Sequence, residues 1–157
     1  MADSPLALNS LERAVMEMLL AGNHPVLRIL ADQLSKASIT SRELTGVGFF
    51  TRFSVPETAA RVVNPASFLI DDVSADLDGL EHGAGFVLWG KEGVLACLEG
   101  FSYAEPWPQS VDGFQPYYLK TVSDEKNDVG EIIGHRYQRS DDRDFAALTK
   151  KLSPRRE

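Results

Sequence analysis

Leu11, Ala14, Val15, Met18 and Leu19 recur three and four residues apart, which gathers them on one face of a helix and leaves Arg13 and Glu17 on the other. Asn9 stands three residues before Glu12, the spacing of a capping box in which each side chain satisfies the other residue's backbone N–H. Gly22 is expected to close this helix, because glycine takes a left-handed turn without a Cβ penalty. Pro25 fits the first turn of a second helix, with Leu27, Leu30, Ala31 and Leu34 as its apolar stripe before Ser35 and Ser38. The linker from Ala21 to His24 is short, so the two helices predict a hairpin.

From Ile39 the apolar period changes. Between Val47 and Val55 the odd positions Val47, Phe49, Phe53 and Val55 are apolar while the even ones mix glycine with Phe50 and Arg52, the alternation of a strand that Pro56 ends. Phe68 to Ile70 and Val73 to Leu77 predict a weaker strand. Gly85 to Trp89 then faces Val94 to Leu98 across Gly90-Lys91-Glu92-Gly93, a hairpin signal. Both of these strands are apolar on both faces, which predicts a central place in the sheet with the helices covering one side.

Beyond Gly100 the chain carries Phe101, Tyr103, Pro106-Trp107-Pro108 and Phe114. The prolines cannot donate to a ladder, so an extended loop is expected. Tyr117 to Val122 reads as an edge strand, Ser123 to Asp128 as an exposed turn, Glu131 to Tyr137 as a returning strand, and Asp144 to Leu152 as a last helix bearing Phe145 and Leu148. A frayed tail is expected over residues 153–157. The prediction is one α+β domain spanning 1–157, an N-terminal helical hairpin packed on a mainly antiparallel sheet of four to six strands.

At 157 residues and 43% hydrophobic, the chain is large enough to bury roughly two-thirds of its unfolded surface, so no disulfide or metal staple is required. Its charge is uneven. Between Asp71 and Asp112 nine acids face Lys91 alone, a balance of -8 within a chain of net -7. Such a segment repels phosphate backbones, which argues against nucleic acid; it reads either as a soluble acidic surface without a partner or, more sharply, as a face for a basic protein. Met1 to Pro5 lacks a basic n-region, and Glu12, Arg13 and Glu17 interrupt the apolar stretch from Leu11 to Ala21, so neither a signal peptide nor a membrane span is expected. Cys97 is the single cysteine, which points to a reducing compartment, the cytoplasm.

Candidate chemistry is sparse. His24, His82 and His135 do not stand at the spacing of zinc ligands, and neither a metal nor a cofactor is expected. His82 lies in Glu81-His82-Gly83-Ala84-Gly85, a tight turn into the next strand or, read functionally, a backbone cradle beside a general base. Cys97 sits inside an apolar strand as a small hydrophobe. Glu99 and Glu105 with His82 could furnish acid–base chemistry if they converge, but no nucleophile or oxyanion device accompanies them, so no catalytic residue is assigned. Pro106 and Pro108 hold Trp107 extended, either as a binding anchor or as a plug for the open end of the sheet, its ring against Phe101, Tyr103 or sheet aromatics. The plug is the expectation. His82, Glu99, Tyr103, Glu105 and Trp107 are the candidate binding residues.

Three runs, Gly46 to Phe53, Leu80 to Leu88 and Leu98 to Pro108, resemble small uncharacterised bacterial proteins that share those phrases. The likeness extends from Leu11 to Phe114; after Tyr117 the chain departs from the pattern. The resemblance implies no activity and transfers no site residue. Small acidic bacterial proteins of this kind sometimes resemble immunity proteins that mask toxins. The expected function is therefore non-enzymatic binding, an acidic face presented to a basic protein. The alternative is a small enzyme or ligand-binding domain with a cleft between the turn at Gly83 to Gly85 and the Trp107 loop, using His82 and Glu99.

Overall fold

The computed structural model describes residues 6–154. Helix α1 (Ser10–Leu19) begins on the expected capping box: the Glu12 N–H donates to Asn9 Oδ1 at 2.9 Å and the Asn9 N–H to Glu12 Oε1 at 2.8 Å. Leu20, not Gly22, is the C-terminal cap; Gly22 turns the chain two residues later with φ 124°. Helix α2 (Pro25–Lys36) has its proline in the first turn, and His24 Nδ1 accepts the Val26 N–H at 3.1 Å.

The rest of the fold is built on a seven-stranded antiparallel sheet, so the α+β class predicted from the period change holds. The strands are β1 (Ser38–Leu44), β2 (Gly48–Ser54), β3 (Phe68–Leu77), β4 (Ala84–Lys91), β5 (Val94–Ser102), β6 (Phe114–Lys126) and β7 (Ile132–Ser140). They run in the order β1-β2-β5-β4-β3-β6-β7, which puts the doubly apolar hairpin β4–β5 near the middle. Its turn is tighter than the four residues expected: Lys91 pairs with Val94, and Glu92 and Gly93 take φ 55° and 80°, the mirror-image turn whose twist suits a hairpin. Helix α1 packs on β3 and β6, and α2 on β5. Their Val15, Met16, Leu19, Leu27 and Leu30 are fully buried against Ile70, Val73, Leu88 and Leu98. Helix α3 (Phe145–Lys151) and its cap add Leu148 and Leu152 to the same core.

Three expectations are corrected. The sheet has seven strands rather than four to six because β1, an edge strand of Ser38, Thr40, Ser41, Arg42 and Glu43, offers no apolar alternation to read. Strand β6 starts at Phe114 rather than Tyr117 and includes Pro116, which sits where only β3 flanks β6 and a proline is tolerated. Ser123 to Lys126, read as turn, continue β6, and the turn is confined to the residues around Asn127, whose Oδ1 accepts the Val129 and Glu131 N–H groups. Past Tyr118, β6 pairs with β7 alone, so this two-stranded arm is solvated on both faces and needs no apolar period.

No helix among the described residues is long and apolar enough to cross a membrane. The tail expected over 153–157 falls from 155 onward outside the described residues, as does the opening Met1 to Pro5.

Candidate functional site

Alternation along the strands divides the sheet into two faces with different fates. Thr51, Leu98, Phe86 and Leu88 point into the helix-covered core, which sends Arg52, Glu99, Val87 and Trp89 to the opposite face. Neither N-terminal helix covers that face. Trp89 is 44% exposed and Tyr103 48%. The arm from β6 to β7 adds Tyr137, 59% exposed.

A hollow of about 650 Å³ opens on this face. Its floor is Ser74, Gly85, Val87 and Phe101; Tyr103 stands on Phe101 edge to face at 5.6 Å. The arm supplies Thr121, Asp124, His135 and Tyr137 as one wall, where His135 Nδ1 lies 2.8 Å from Asp124 Oδ1 and its ring meets Tyr137 at 6.3 Å. The other wall comes from the β3 bulge and α3. Between Ile70 and Val73, Asp71 and Asp72 oppose Val87 alone, and the bulge aims them at the C-terminal segment. Lys151 Nζ bonds Asp71 at 2.5 Å, and the Arg143 guanidinium bonds Asp72 at 2.7 and 2.9 Å. Burial pushes the Tyr103 phenol up from its ordinary pKa, with the Ser74 hydroxyl opposing the shift.

The five residues singled out from sequence do not form one site. Trp107 lies on the helix side, edge to face with Phe49 at 5.5 Å, its backbone N–H bonded to the Gly46 carbonyl at 2.8 Å. It borders a separate hollow of about 410 Å³ with Leu11, Arg42 and Leu44. Its half-buried ring seats on Phe49, one of the sheet aromatics the plug reading allows, while Phe101 and Tyr103 occupy the other face. Glu105 works as a clasp, accepting the Glu81 N–H at 2.8 Å and the His82 N–H at 3.1 Å. Those two donors hold its carboxyl below the usual carboxylate range. Glu99 accepts the Trp89 indole N–H at 3.2 Å. It stands opposite Val87, three residues beyond Ala84, so about 10 Å of strand separates it from the start of β4, with His82 further back. His82 and Glu99 are not brought together, and neither lines either hollow. Of the five, Tyr103 alone borders the larger one, which Trp107 does not reach.

Sequence reasoning missed Asp124, His135 and Tyr137. A solvated arm carries no apolar period, so nothing local told that it closes one side of the hollow. The acidic segment is also less bare than its sequence suggests. Asp71, Asp72 and Asp76 pair with Lys151, Arg143 and Arg139. Asp78, Glu81 and Asp112 make no ion pair among the described residues. The Asp78 N–H bonds the Gly113 carbonyl at 2.9 Å, so these acids gather with Glu105 where the β3–β4 turn meets the β5–β6 loop. Compared with protein-family models, curated proteins and solved structures, the chain matches none.

Proposed function

We propose that this chain is a non-enzymatic binding protein whose partner is a basic protein. The observation that carries the reading is the uncovered sheet face, where Trp89, Tyr103 and Tyr137 stand exposed and whose Tyr103 end adjoins an acidic cluster of Asp78, Glu81, Glu105 and Asp112. Aromatic rings on a rigid sheet cost little entropy to present, and the acids speed encounter with a positive surface. A basic toxin held inactive is one partner of this chemistry, which keeps the immunity-like role open to the same test. The single cysteine, Cys97, fits a reducing compartment, so we place the protein in the cytoplasm. Acid–base chemistry at His82 and Glu99 finds no support, since strand β4 separates them and neither lines either hollow.

The test is affinity capture from native extract at low and moderate salt with wild type, Tyr103→Ala and the triple reversal Asp78→Lys, Glu81→Lys and Asp112→Lys. A basic partner released by salt and lost in both variants supports the reading. A partner retained equally by both variants, or an acidic one, overturns it.

A further inference from the structure

We infer that the hollow bordered by Phe101, Tyr103, Tyr137 and Asp124 receives one guanidinium or ammonium side chain of that basic partner, an inference that rests on the reading above. The chain shows the required chemistry twice on its own arginines. The Arg139 guanidinium lies 3.8 Å from the centre of the Tyr117 ring and bonds Asp76 at 2.8 Å. Arg143 lies 5.1 Å from the centre of the Tyr118 ring and bonds Asp72. Each cation is held by a tyrosine face and a carboxylate. The ring attracts the cation through its negative face while the carboxylate orients it.

A third set of the same parts, Tyr137, Tyr103 and Asp124, lines the hollow, and among the described residues no arginine or lysine stands over either ring or pairs with Asp124, whose partner is His135. The charge agrees. Among the described residues, four carboxylates line the hollow, Asp71, Asp72, Asp124 and Asp144, against Lys151 in its wall and Arg143 on Asp72, a balance of -2 before His135 is counted. Among the same residues an anion would meet no uncommitted base, because Lys151 is engaged by Asp71 and His135 by Asp124. At about 650 Å³ the space admits a long side chain and the backbone that carries it.

The probes are acetyl-arginine amide, acetyl-lysine amide and the uncharged isostere acetyl-citrulline amide, titrated into the full chain and followed by amide and aromatic NMR shifts. Saturable shifts are expected at Ser74, Tyr103 and Tyr137 with the two cations. Citrulline should bind at least about tenfold more weakly, and Tyr103→Ala should weaken arginine binding by a similar factor. Asp124→Asn, a small change at an exposed position, should do the same without unfolding and stands in if Tyr103→Ala does not fold. Equal binding of citrulline, or unchanged arginine binding in Asp124→Asn, overturns the inference. A hexa-arginine peptide separates the two levels: shifts confined to residues 78–82 and 105–112 defeat the hollow but leave the basic-partner reading standing, whereas no saturable shift anywhere defeats both.

Discussion

The Phe101 ring lies across Gly85, its cross-strand partner, so closely that a Cβ on residue 85 would sit 2.5 Å from the ring. The same seat recurs at Gly100 under Phe49 and at Gly90 under Phe68, each pair directly opposed on neighbouring strands. In the central strands, glycine supplies room for an aromatic ring rather than a turn. On the uncovered face that seat fixes Phe101 as the floor of the hollow. Gly85→Ala should push the ring off its seat at a cost of about 1–3 kcal/mol, read as a lower denaturant midpoint with an unchanged slope. Phe101→Leu in the same background should recover part of the loss by relieving the clash.

Trp107 packs half-buried on Phe49 and joins the edge of the core. Trp107→Ala should therefore cost about 2 kcal/mol, between the value for a fully buried indole and the near-zero value of an exposed anchor. Denaturant melts decide it, and a change below about 0.5 kcal/mol would remove the plug role.

Arg143 ties three elements together. Its side chain is buried, bonds both oxygens of Asp72, and donates to the carbonyls of Leu19 and Ala21 at 2.9 and 2.8 Å. Helix α1 has no basic residue in its own last turn, so this guanidinium answers its unsatisfied carbonyls and its negative end. Arg143→Ala should cost about 3 kcal/mol, because it strands Asp72 and those carbonyls together. Lys36→Ala, which breaks the exposed pair with Asp32, should cost less than about 0.5 kcal/mol in the same assay.

The Glu105 clasp depends on pH with a definite sign. Its folded pKa lies below the ordinary value because the carboxylate accepts two backbone N–H groups. A depressed carboxyl binds its proton more readily in the unfolded chain, so the stabilisation is present above the ordinary carboxylate range and fades as pH falls through the folded pKa. The difference in Tm between wild type and Glu105→Gln should be constant from pH ~7 to ~5 and shrink as pH falls below that. Protection of the Glu81 and His82 amides against exchange, taken relative to the unfolded chain at each pH, should fall over the same interval. A difference independent of pH would show that the carboxylate charge plays no part.

Burial pushes the Cys97 thiol up, while the Arg52 guanidinium pulls it down. Alkylation by iodoacetamide at pH ~8 should be slower than for a free cysteine peptide, and slower still in Arg52→Gln. Faster reaction than the peptide would contradict the buried, inert role.

Much of the fold was legible because it rests on local chemistry. The Asn9–Glu12 box, the proline opening of α2 and the apolar runs of β4 and β5 flanking a glycine turn each follow from bonds or packing within a few residues. The break at Asp71-Asp72 in the predicted strand falls at the β3 bulge, which only the register with β4 revealed. Strand β1 and the far half of β6 stayed hidden because an edge or a solvated arm imposes no apolar pattern. Glu12 shows both sides of this division. Its capping of Asn9 was readable, but its complete burial and its bonds to Arg42 and Thr51, thirty and more residues away, were not.

What the sequence determined by itself was the class of fold, the helical hairpin, the central strands and the concentration of acid between Asp71 and Asp112. The tertiary structure alone decided which acids are spent. Lys151, Arg143 and Arg139 return from the C-terminal region to pair with Asp71, Asp72 and Asp76, leaving Asp78, Glu81 and Asp112 at one end. It also sent Trp107 to one side of the sheet and Tyr103 to the other, four residues apart in the chain, and set Tyr103 opposite Tyr137 across a hollow. The physical reason is that period and capping act over a few residues. A cavity and an ion pair depend on how distant strands are ordered, and that order is fixed by burial of the whole core rather than by any one segment.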